Sequence, residues 1–268
     1  MNAMGRYTHG HHESVLRSHR WRTVDNSAGY LVDHLASGCS LLDVGCGPGT
    51  LTVDLARRVA PGSVVGIDSA ESIVQQARDD TPVEIANVEF REGDVYALDF
   101  ESSTFDVVHA HQVLQHVDDP VAALREMRRV GRPGGIVAVR DADYGNMAWH
   151  PQDDRLDRWL GMYRAVAVAN GGQPDAGRYL LGWAHESGLT EVEPSASVWR
   201  FATSHDRAWW GGLWADRLVR SSLADHAIES GQATKRDLED ISSAWLEWAA
   251  RPDGWFTVPH GEIVAAVS

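Results

Sequence analysis

Short apolar runs and longer amphipathic segments alternate along the first half of the chain. The apolar runs predict five buried strands: Ser40–Val44, Ser63–Ile67, Val88–Arg91, Phe105–Ala110 and Ile136–Arg140. The segments between them carry apolar residues at helical spacing or are bounded by helix-ending residues. Such alternation of strands and helices is typical of a parallel, doubly wound sheet with helices on both faces.

Proline and glycine mark where the predicted helices begin and end. The helices of this half are Ser27–Ala36, Thr50–Val59, Ala70–Arg78 and Pro120–Val130. The last of them starts with proline and is followed by Gly131, which is the usual distribution of these residues at helix ends. The last three helices therefore fit as connections between parallel strands.

After Arg140 the alternation stops and tryptophan becomes frequent. Ten of the 11 tryptophans stand at or after Trp149. The predicted elements of this half are helices over 151–170, 176–187, 206–222 and 234–250 and extended segments over 191–202 and 255–267. Tryptophans recur at helical spacing in the last two helices. They favour either amphipathic helices packed on a core or an aromatic roof over a pocket for a flat, apolar molecule.

The composition excludes several classes of protein. The chain has 268 residues, of which 43% are hydrophobic, and a net charge of −14. This acidic balance argues against a nucleic-acid partner, because phosphate binding needs clustered Lys and Arg. We expect no membrane span and no secretory signal, since no apolar run has the required length. Two cysteines cannot form a disulfide framework, so a cytoplasmic location is expected. The oligomeric state is left open.

The strongest chemical signal is the segment LLDVGCGPGT at 41–50. An apolar strand enters a turn with glycines at 45, 47 and 49, which allow positive φ and a close approach of the backbone to a ligand. The next helix begins at this turn and directs its first amides at the same ligand. A dinucleotide-binding turn has the pattern GxGxxG. Here Thr50 occupies the last glycine position, and Pro48 has no amide to offer a pyrophosphate.

This turn resembles the first motif of the class I S-adenosylmethionine (SAM)-dependent methyltransferases, and further motifs of that family follow in order. Asp68 ends the second strand and Asp94 follows the third. FDVVHAHQVLQHVDDP at 105–120 resembles the fourth strand with its loop, and GRPGGIVAVRD at 131–141 resembles the turn before the fifth. Within the family, the chain is most similar to the ubiquinone and menaquinone biosynthesis methyltransferases and their small-molecule relatives.

The resemblance implies an α/β fold, with a Rossmann-like, doubly wound, mostly parallel seven-stranded sheet. It divides the chain into an N-terminal helical lid at 1–38, a SAM-binding core at 39–202 and 252–268, and a helical cap at 203–251 inserted between the last two strands. The implied activity is transfer of a methyl group from SAM to a small, apolar or aromatic molecule by direct in-line displacement, with S-adenosylhomocysteine as product. Carbon, oxygen and nitrogen acceptors all stay open.

The resemblance also places the cofactor along the glycine turn and the ends of the next strands. Asp68 is expected to accept the ribose hydroxyls, Asp94 and the amide of Val95 to bind adenine, and Arg22 to bind the SAM carboxylate. The full set of predicted cofactor-binding residues is Arg22, Asp43, Gly45, Cys46, Gly47, Gly49, Asp68, Ser69, Asp94, Val95 and His111.

Three residues are predicted to act at the reacting centre. His111 stands just past the fourth strand, where ligands bind in this architecture, and it is expected to serve as a general base if the acceptor arrives protonated. Asp141 ends the fifth strand and is expected to participate directly or to order the strand end. Tyr7 is expected to contact the sulfonium or the acceptor from the lid. His116 is a weaker candidate with a structural alternative.

Other chemistries fit the sequence less well. The N-terminal histidines lack a partner cluster with metal-ligand spacing, so no metal site is predicted. Mg²⁺-dependent catechol methyltransferases hold the metal with acidic residues after strand four, where this chain has His111 and Gln112. The (D/N/S)PP(Y/F) loop of amino-DNA methyltransferases is absent. Two alternatives stay open: a protein that binds SAM or S-adenosylhomocysteine without methyl transfer, as a scaffold or cyclase-like descendant, and a nicotinamide oxidoreductase.

Overall fold

The computed structural model describes residues 13–268. Eight strands lie in this part of the chain: β1 Leu41–Val44, β2 Val64–Asp68, β3 Val88–Glu92, β4 Phe105–His111, β5 Gly131–Ala142, β6 Ala148–His150, β7 Thr190–Phe201 and β8 Trp255–Ala266. The α-helices are α1 Glu13–Arg20, α2 Val24–Ser27, α3 Thr50–Val59, α4 Glu71–Asp80, α5 Pro120–Val130, α6 Asp154–Ala169, α7 Leu180–Ser187, α8 Ser204–Arg220, α9 Ser222–Glu229 and α10 Lys235–Ala250.

All eight strands form one sheet, and its parallel half is β3-β2-β1-β4-β5. β8 runs antiparallel beside β5, and both β6 and β7 pair antiparallel with β8. The predicted α/β, doubly wound and mostly parallel fold is therefore confirmed. Because β1, β2, β3 and β4 are parallel, their carboxyl ends meet at one edge of the sheet. That edge carries the glycine turn.

Three details differ from the sequence prediction. The sheet has eight strands rather than seven, because Ala148–His150 adds a strand too short to show periodicity. The helix predicted at 206–222 ends at Arg220, and an additional helix, α9, follows it at Ser222–Glu229 with the hydroxyl of Ser221 as its cap. The helix expected at 27–36 is instead α2 followed by a 3₁₀ turn at Gly29–His34. Gly29 stands at this break, and glycine disfavours a continuous helix.

A large aromatic cluster fills the space between the end of the sheet and the C-terminal helices. Trp159 of α6, Trp214 of α8 and Trp245 of α10 are fully buried at its centre. The ring of Trp159 meets those of Trp214 and Trp245 edge to face, with centroids 4.6 and 4.8 Å apart. Such contacts stabilise beyond the area that they bury. The tryptophans of these helices therefore form a packed core.

Helix α1 lies against α8 and at the carboxyl edge of the parallel strands. Arg17 of α1 forms an ion pair with Asp216 at 3.1 Å, and Arg217 donates to the hydroxyl of Ser18 at 3.0 Å. Val15 and Leu16 are buried. In the part of the chain that the structure describes, no helix combines the length and apolarity that membrane crossing requires.

Candidate active site

A cavity of about 200 Å³ lies at the carboxyl edge of the parallel strands. Its walls are the glycine turn, the ends of β2 and β4, the loops after β3 and β4, and one face of α1. Eight of the predicted cofactor-binding residues line it: Arg22, Gly45, Gly47, Asp68, Ser69, Asp94, Val95 and His111. Asp43 and Cys46 line a smaller adjoining recess. The fold thus brings together residues that are far apart in sequence.

The glycine turn needs glycine for its backbone and for its neighbours. Gly45, Gly47 and Gly49 have φ of 71°, 55° and 79°, a region that side chains disfavour. A Cβ at Gly45 would stand 2.4 Å from Cγ2 of Val113, and one at Gly49 would stand 2.7 Å from the ring of Phe90. Gly49 lines neither the cavity nor the recess. It lets the start of α3 pack on β3.

Asp68 is fixed at the end of β2 by backbone amides. One carboxylate oxygen accepts from the amide of Gly47 at 3.0 Å, and the other accepts from that of Ala70 at 3.1 Å. These bonds join the glycine turn to the next strand. They also hold an anionic group at the cavity wall, where it can accept hydroxyl donors from a ligand.

The loops after β3 and β4 close the other end of the cavity. The carboxylate of Asp94 accepts from the amide of Tyr96 at 2.9 Å. The hydroxyl of Tyr96 donates to the carboxylate of Asp118, which links the two loops. Burial and the Asp118 carboxylate raise the pKa of Tyr96 to about 12, so this phenol stays protonated and keeps donating at neutral pH.

Asp43 lies beneath the glycine turn rather than in the main cavity. It is buried, accepts from the hydroxyl of Thr52 at 2.5 Å, and pairs with Nδ1 of His109 at 2.7 Å. The carboxylate therefore ties β1 to β4 and to the first turn of α3. His109 and Thr52 were not predicted. Two features of the sequence point to them: Thr52 follows the glycine turn, and His109 is a polar residue in an apolar strand.

His111 is the end residue of β4 and faces both the cavity and the recess. Its side chain is 4% exposed, and within residues 13–268 neither ring nitrogen has a hydrogen-bond partner. Burial lowers the pKa of His111 well below its usual value, and the nearby guanidinium groups of Arg22 and Arg140 lower it further. The imidazole is therefore neutral at physiological pH.

Comparisons with known proteins agree with this arrangement. Residues 35–187 match the methyltransferase domain family. An uncharacterized methyltransferase of Schizosaccharomyces pombe is 34% identical over 269 residues, which cover 96% of this chain and 95% of the relative. The chain belongs to the methyltransferase domain family. It is a SAM-dependent methyltransferase, as the sequence predicted.

Two further similarities concern the subgroup and the fold. The demethylmenaquinone methyltransferase of Lactococcus lactis is 36% identical over 118 residues, which cover 43% of this methyltransferase and 47% of the relative. The predicted resemblance to methyltransferases of menaquinone biosynthesis is thereby confirmed. The solved structure of the YcgJ protein of Bacillus subtilis has the same fold, with a TM-score of 0.56, 16% identity, and coverage of 89% of this chain and 96% of that one.

In this methyltransferase, a hydrogen-bond chain behind the cavity fixes Arg22. Nδ1 of His260 donates to the carbonyl of Val258 at 2.9 Å, so its Nε2 accepts from the amide nitrogen of Gln112 at 2.9 Å. The amide oxygen of Gln112 then accepts from Arg22 at 2.5 Å. Gln112 has a φ of 55°, so the backbone leaves the extended conformation of β4 at this residue. The sequence analysis predicted Arg22 but missed Gln112 and His260.

Asp141 lies behind the methyltransferase cavity and lines neither it nor the recess. Its buried carboxylate accepts from the amides of Leu114 and Gln115 at 3.3 and 3.2 Å. Burial raises the pKa of Asp141 to about 7. In this position it orders the loop after β4, which carries Val113 and His116. Burial, Arg22 and Arg217 lower the pKa of His116 to about 3, and its Nε2 meets the amide nitrogen of Gln115 at 3.0 Å.

The remaining predicted residue, Tyr7, lies outside the residues that the structure describes. Within residues 13–268, no three His, Cys, Asp or Glu side chains converge closely enough to hold a metal ion.

Proposed function

We propose that this methyltransferase transfers a methyl group from SAM to a small, apolar or aromatic molecule bound between the loop after β4 and helix α1. One observation carries the proposal: a single cavity unites the glycine turn, Asp68, Asp94 and the unpartnered ring of His111. These groups come from the ends of neighbouring parallel strands, where ligands bind in this architecture.

The donor set at the cavity fits SAM. Gly45 and Gly47 line the cavity and carry no side chains, so their backbone is available to the methionine part. Arg22 suits its carboxylate, since a guanidinium group binds carboxylates with two parallel hydrogen bonds. Asp68 can accept the ribose hydroxyls, and Asp94 with the amide of Val95 can bind the adenine edge. In this proposal, Asp43, Cys46, Gly49 and Ser69 shape the turn and the cavity wall.

When bound, SAM supplies a methyl group that is activated by a positive sulfur. The protein's own residues orient the two reactants and exclude water. Val44, Val113, Val117 and Leu16 provide apolar walls around the reacting centre. His111 contacts the acceptor in this proposal, because the residue lines the cavity and its ring nitrogens have no hydrogen-bond partner among the described residues. Asp141 acts as a positioning residue for the loop after β4, and Tyr7 contacts the ligands from the preceding segment.

The shape of the site supports a small acceptor. The cavity lies beneath α1, and Leu16 and His19 of that helix are part of its wall. No tryptophan is among the residues that line it. The aromatic cluster therefore supports the site from behind rather than forming a roof of exposed rings, and the apolar valines give the acceptor surface.

We also propose that 1–38 is a lid and that the helices within 203–251 form a cap over the core at 39–202 and 252–268. Two contacts support this organisation: the Arg17–Asp216 ion pair and the Arg217–Ser18 hydrogen bond both join α1 to α8. Helix α6 of the core packs into the same aromatic cluster as α8 and α10, and this cluster joins the core to the cap.

Calorimetric titration with SAM, S-adenosylhomocysteine and NADH tests the proposal. We expect micromolar binding of the first two and none of NADH. Transfer of labelled methyl to a panel of small aromatic acceptors then separates catalysis from binding alone. Absence of binding by both SAM and S-adenosylhomocysteine, or binding of NADH only, would contradict the assignment of the cavity.

A further inference from the structure

His111 is a buried histidine that lines the cavity, and its ring nitrogens have no hydrogen-bond partner among the described residues. The residue is 4% exposed. Buried polar groups are almost always hydrogen-bonded, because an unmet donor or acceptor costs free energy. Core tryptophans such as Trp159 and Trp245 also lack partners for their indole nitrogens in the described part of the chain, but His111 differs from them because it lines the cavity. A group bound there is the partner available to this imidazole.

The ionisable groups that act on His111 favour its neutral form. Arg140 comes from β5, Arg22 from the segment after α1, His109 from β4 and His260 from β8, and all four oppose its protonation. Burial acts in the same direction and lowers the pKa of His111 well below the usual range. The environment therefore favours the neutral imidazole over the imidazolium.

The carboxylates on the adjacent strands are engaged elsewhere. Asp43 of β1 holds His109 and Thr52, as described above. Asp141 of β5 accepts two loop amides, and Glu262 of β8 accepts from Arg140 at 3.0 Å. A catalytic histidine base is ordinarily backed by a carboxylate that stabilises its protonated ring. His111 has no such partner among the residues that the structure describes.

We infer that the acceptor reacts as an oxyanion, the conjugate base of an acidic hydroxyl on a small molecule, and that His111 donates a hydrogen bond to it. The inference rests on the proposed function and narrows its acceptor class to phenols and enols. It also replaces the predicted role of His111 as a general base, because the proton leaves the hydroxyl before the transfer step.

The transfer step is balanced without any proton movement in the site. The electron pair of the anion forms a bond to the methyl carbon, the methyl–sulfur bond breaks, and its electron pair stays on sulfur. A negative acceptor and a positive sulfonium become two groups without net charge. The apolar walls strengthen this attraction, since charges interact more strongly away from water.

A coloured acidic phenol tests the inference without requiring turnover. We would saturate the methyltransferase with S-adenosylhomocysteine, add 4-nitrophenol, and follow the absorbance of the phenolate against pH. We expect the bound phenol to ionise with an acid constant at least about tenfold larger than that of the free phenol, a shift of one pKa unit. Nitrobenzene, which is similar in size and lacks the hydroxyl, should bind at least tenfold more weakly at pH 8.

Three variants assign the effect to His111. His111→Ala should lose most of the shift in ionisation, whereas His111→Gln keeps a side-chain N–H donor and should retain much of it. His150→Ala is the control, because its side chain is 64% exposed on β6. Thermal melting shows whether each variant is folded. If a variant is not folded, the direction of the ionisation shift of 4-nitrophenol in the wild type still tests the inference.

The outcomes separate the two proposals. Failure of S-adenosylhomocysteine to bind would overturn the proposed function itself. Binding of S-adenosylhomocysteine together with an unchanged or weakened acidity of 4-nitrophenol, or with no binding of the phenol at all, would overturn only the oxyanion inference. A full shift in His111→Ala would remove His111 from the acceptor site.

Discussion

The cavity edge and the aromatic cluster differ in what surrounds their buried side chains. Around the cavity, three glycines have positive φ, and His111 is buried without a partner among the described residues. In the cluster, Trp159, Trp214 and Trp245 are fully buried and meet one another ring to ring. Both regions hold buried polar atoms without a hydrogen-bond partner among the described residues, since the indole nitrogens of Trp159 and Trp245 also lack one. In the first region such atoms belong to a residue that lines a cavity. In the second they are enclosed by ring packing, which contributes stability.

This difference teaches where to look for function in the chain. Residue type alone draws attention to the tryptophans, because they are numerous and concentrated in one half. The geometry draws attention instead to the end of β4, where neither ring nitrogen of His111 has a hydrogen-bond partner in the described fold. If the comparison is correct, changes in the cluster alter stability and leave ligand affinity intact, whereas substitutions of residues that line the cavity alter ligand affinity.

The largest expected effect is on stability, from Trp159→Ala. Removing a fully buried aromatic side chain from a packed core costs about 3–5 kcal/mol of unfolding free energy. Chemical denaturation measures the loss, and calorimetry below the melting temperature should find unchanged affinity for S-adenosylhomocysteine. Trp255→Ala is the matched control, because Trp255 is 41% exposed and should cost much less. A large loss of affinity in Trp159→Ala would break the division between the two regions.

Asp68→Ala should give the next largest effect, which is a loss of affinity for S-adenosylhomocysteine. Loss of charged hydrogen bonds to the ribose hydroxyls should weaken S-adenosylhomocysteine binding by about 2 kcal/mol, or roughly 30-fold in Kd. The control is Asp79→Ala, which removes the same charge from the exposed end of α4. An affinity equal to that of the wild type would mean that the end of β2 does not contact the ribose.

Gly45→Ala tests whether the close approach of the ligand to the glycine turn matters for binding, in addition to the backbone conformation of the turn. Gly231→Ala supplies the control, since Gly231 has a φ of 70° and open space where a Cβ would stand, whereas a Cβ at Gly45 meets Val113. Each substitution should cost about 1 kcal/mol or slightly more of stability from positive φ, and Gly45→Ala should cost more than Gly231→Ala because its Cβ overlaps Val113. Only Gly45→Ala should also weaken S-adenosylhomocysteine binding, by about tenfold. Equal affinities in the two variants would argue against the close approach.

Asp141→Asn should give the smallest effect, which is a change in unfolding free energy that depends on pH. Because the pKa of Asp141 is raised to about 7 in the folded protein, the folded state holds this proton more tightly than the unfolded chain. Its contribution to stability is present at low pH and is lost as the pH rises through 7. Between pH 6 and pH 7.5, the unfolding free energy of the wild type should fall by about 1 kcal/mol relative to that of Asp141→Asn.

Comparing the two proteins at each pH removes a competing effect. The pKa values of His111, His116 and His260 are lowered by burial, so these residues destabilise the fold as the pH falls. They are present in both proteins and cancel in the difference. A difference in unfolding free energy that stays constant over this range would show that Asp141 does not titrate there.

Much of the fold could be predicted because its signals are local. The apolar runs indicated the parallel strands, and the glycine turn indicated the cavity and the order of the motifs. Thr50–Val59 and Pro120–Val130 form helices with the predicted bounds. Ala148–His150 was missed because three residues show no period, and α9 was missed because its eight residues make only about two helical turns.

The supporting residues of the site could not be predicted because their partners are distant in sequence. Gln112 meets His260 across 148 positions, and His109 meets Asp43 across 66. Nothing near either residue in the chain indicates such a bond. The role of Asp141 was equally hidden, since its position at the end of a strand does not reveal that loop amides occupy its carboxylate.

A crystal structure of the complex with S-adenosylhomocysteine tests the central claim most directly. The account predicts that the methionine part lies along Gly45 and Gly47, that the ribose hydroxyls donate to Asp68, and that the sulfur lies on the side of the cavity that His111 faces. A ligand bound elsewhere, or a ribose directed away from Asp68, would contradict it.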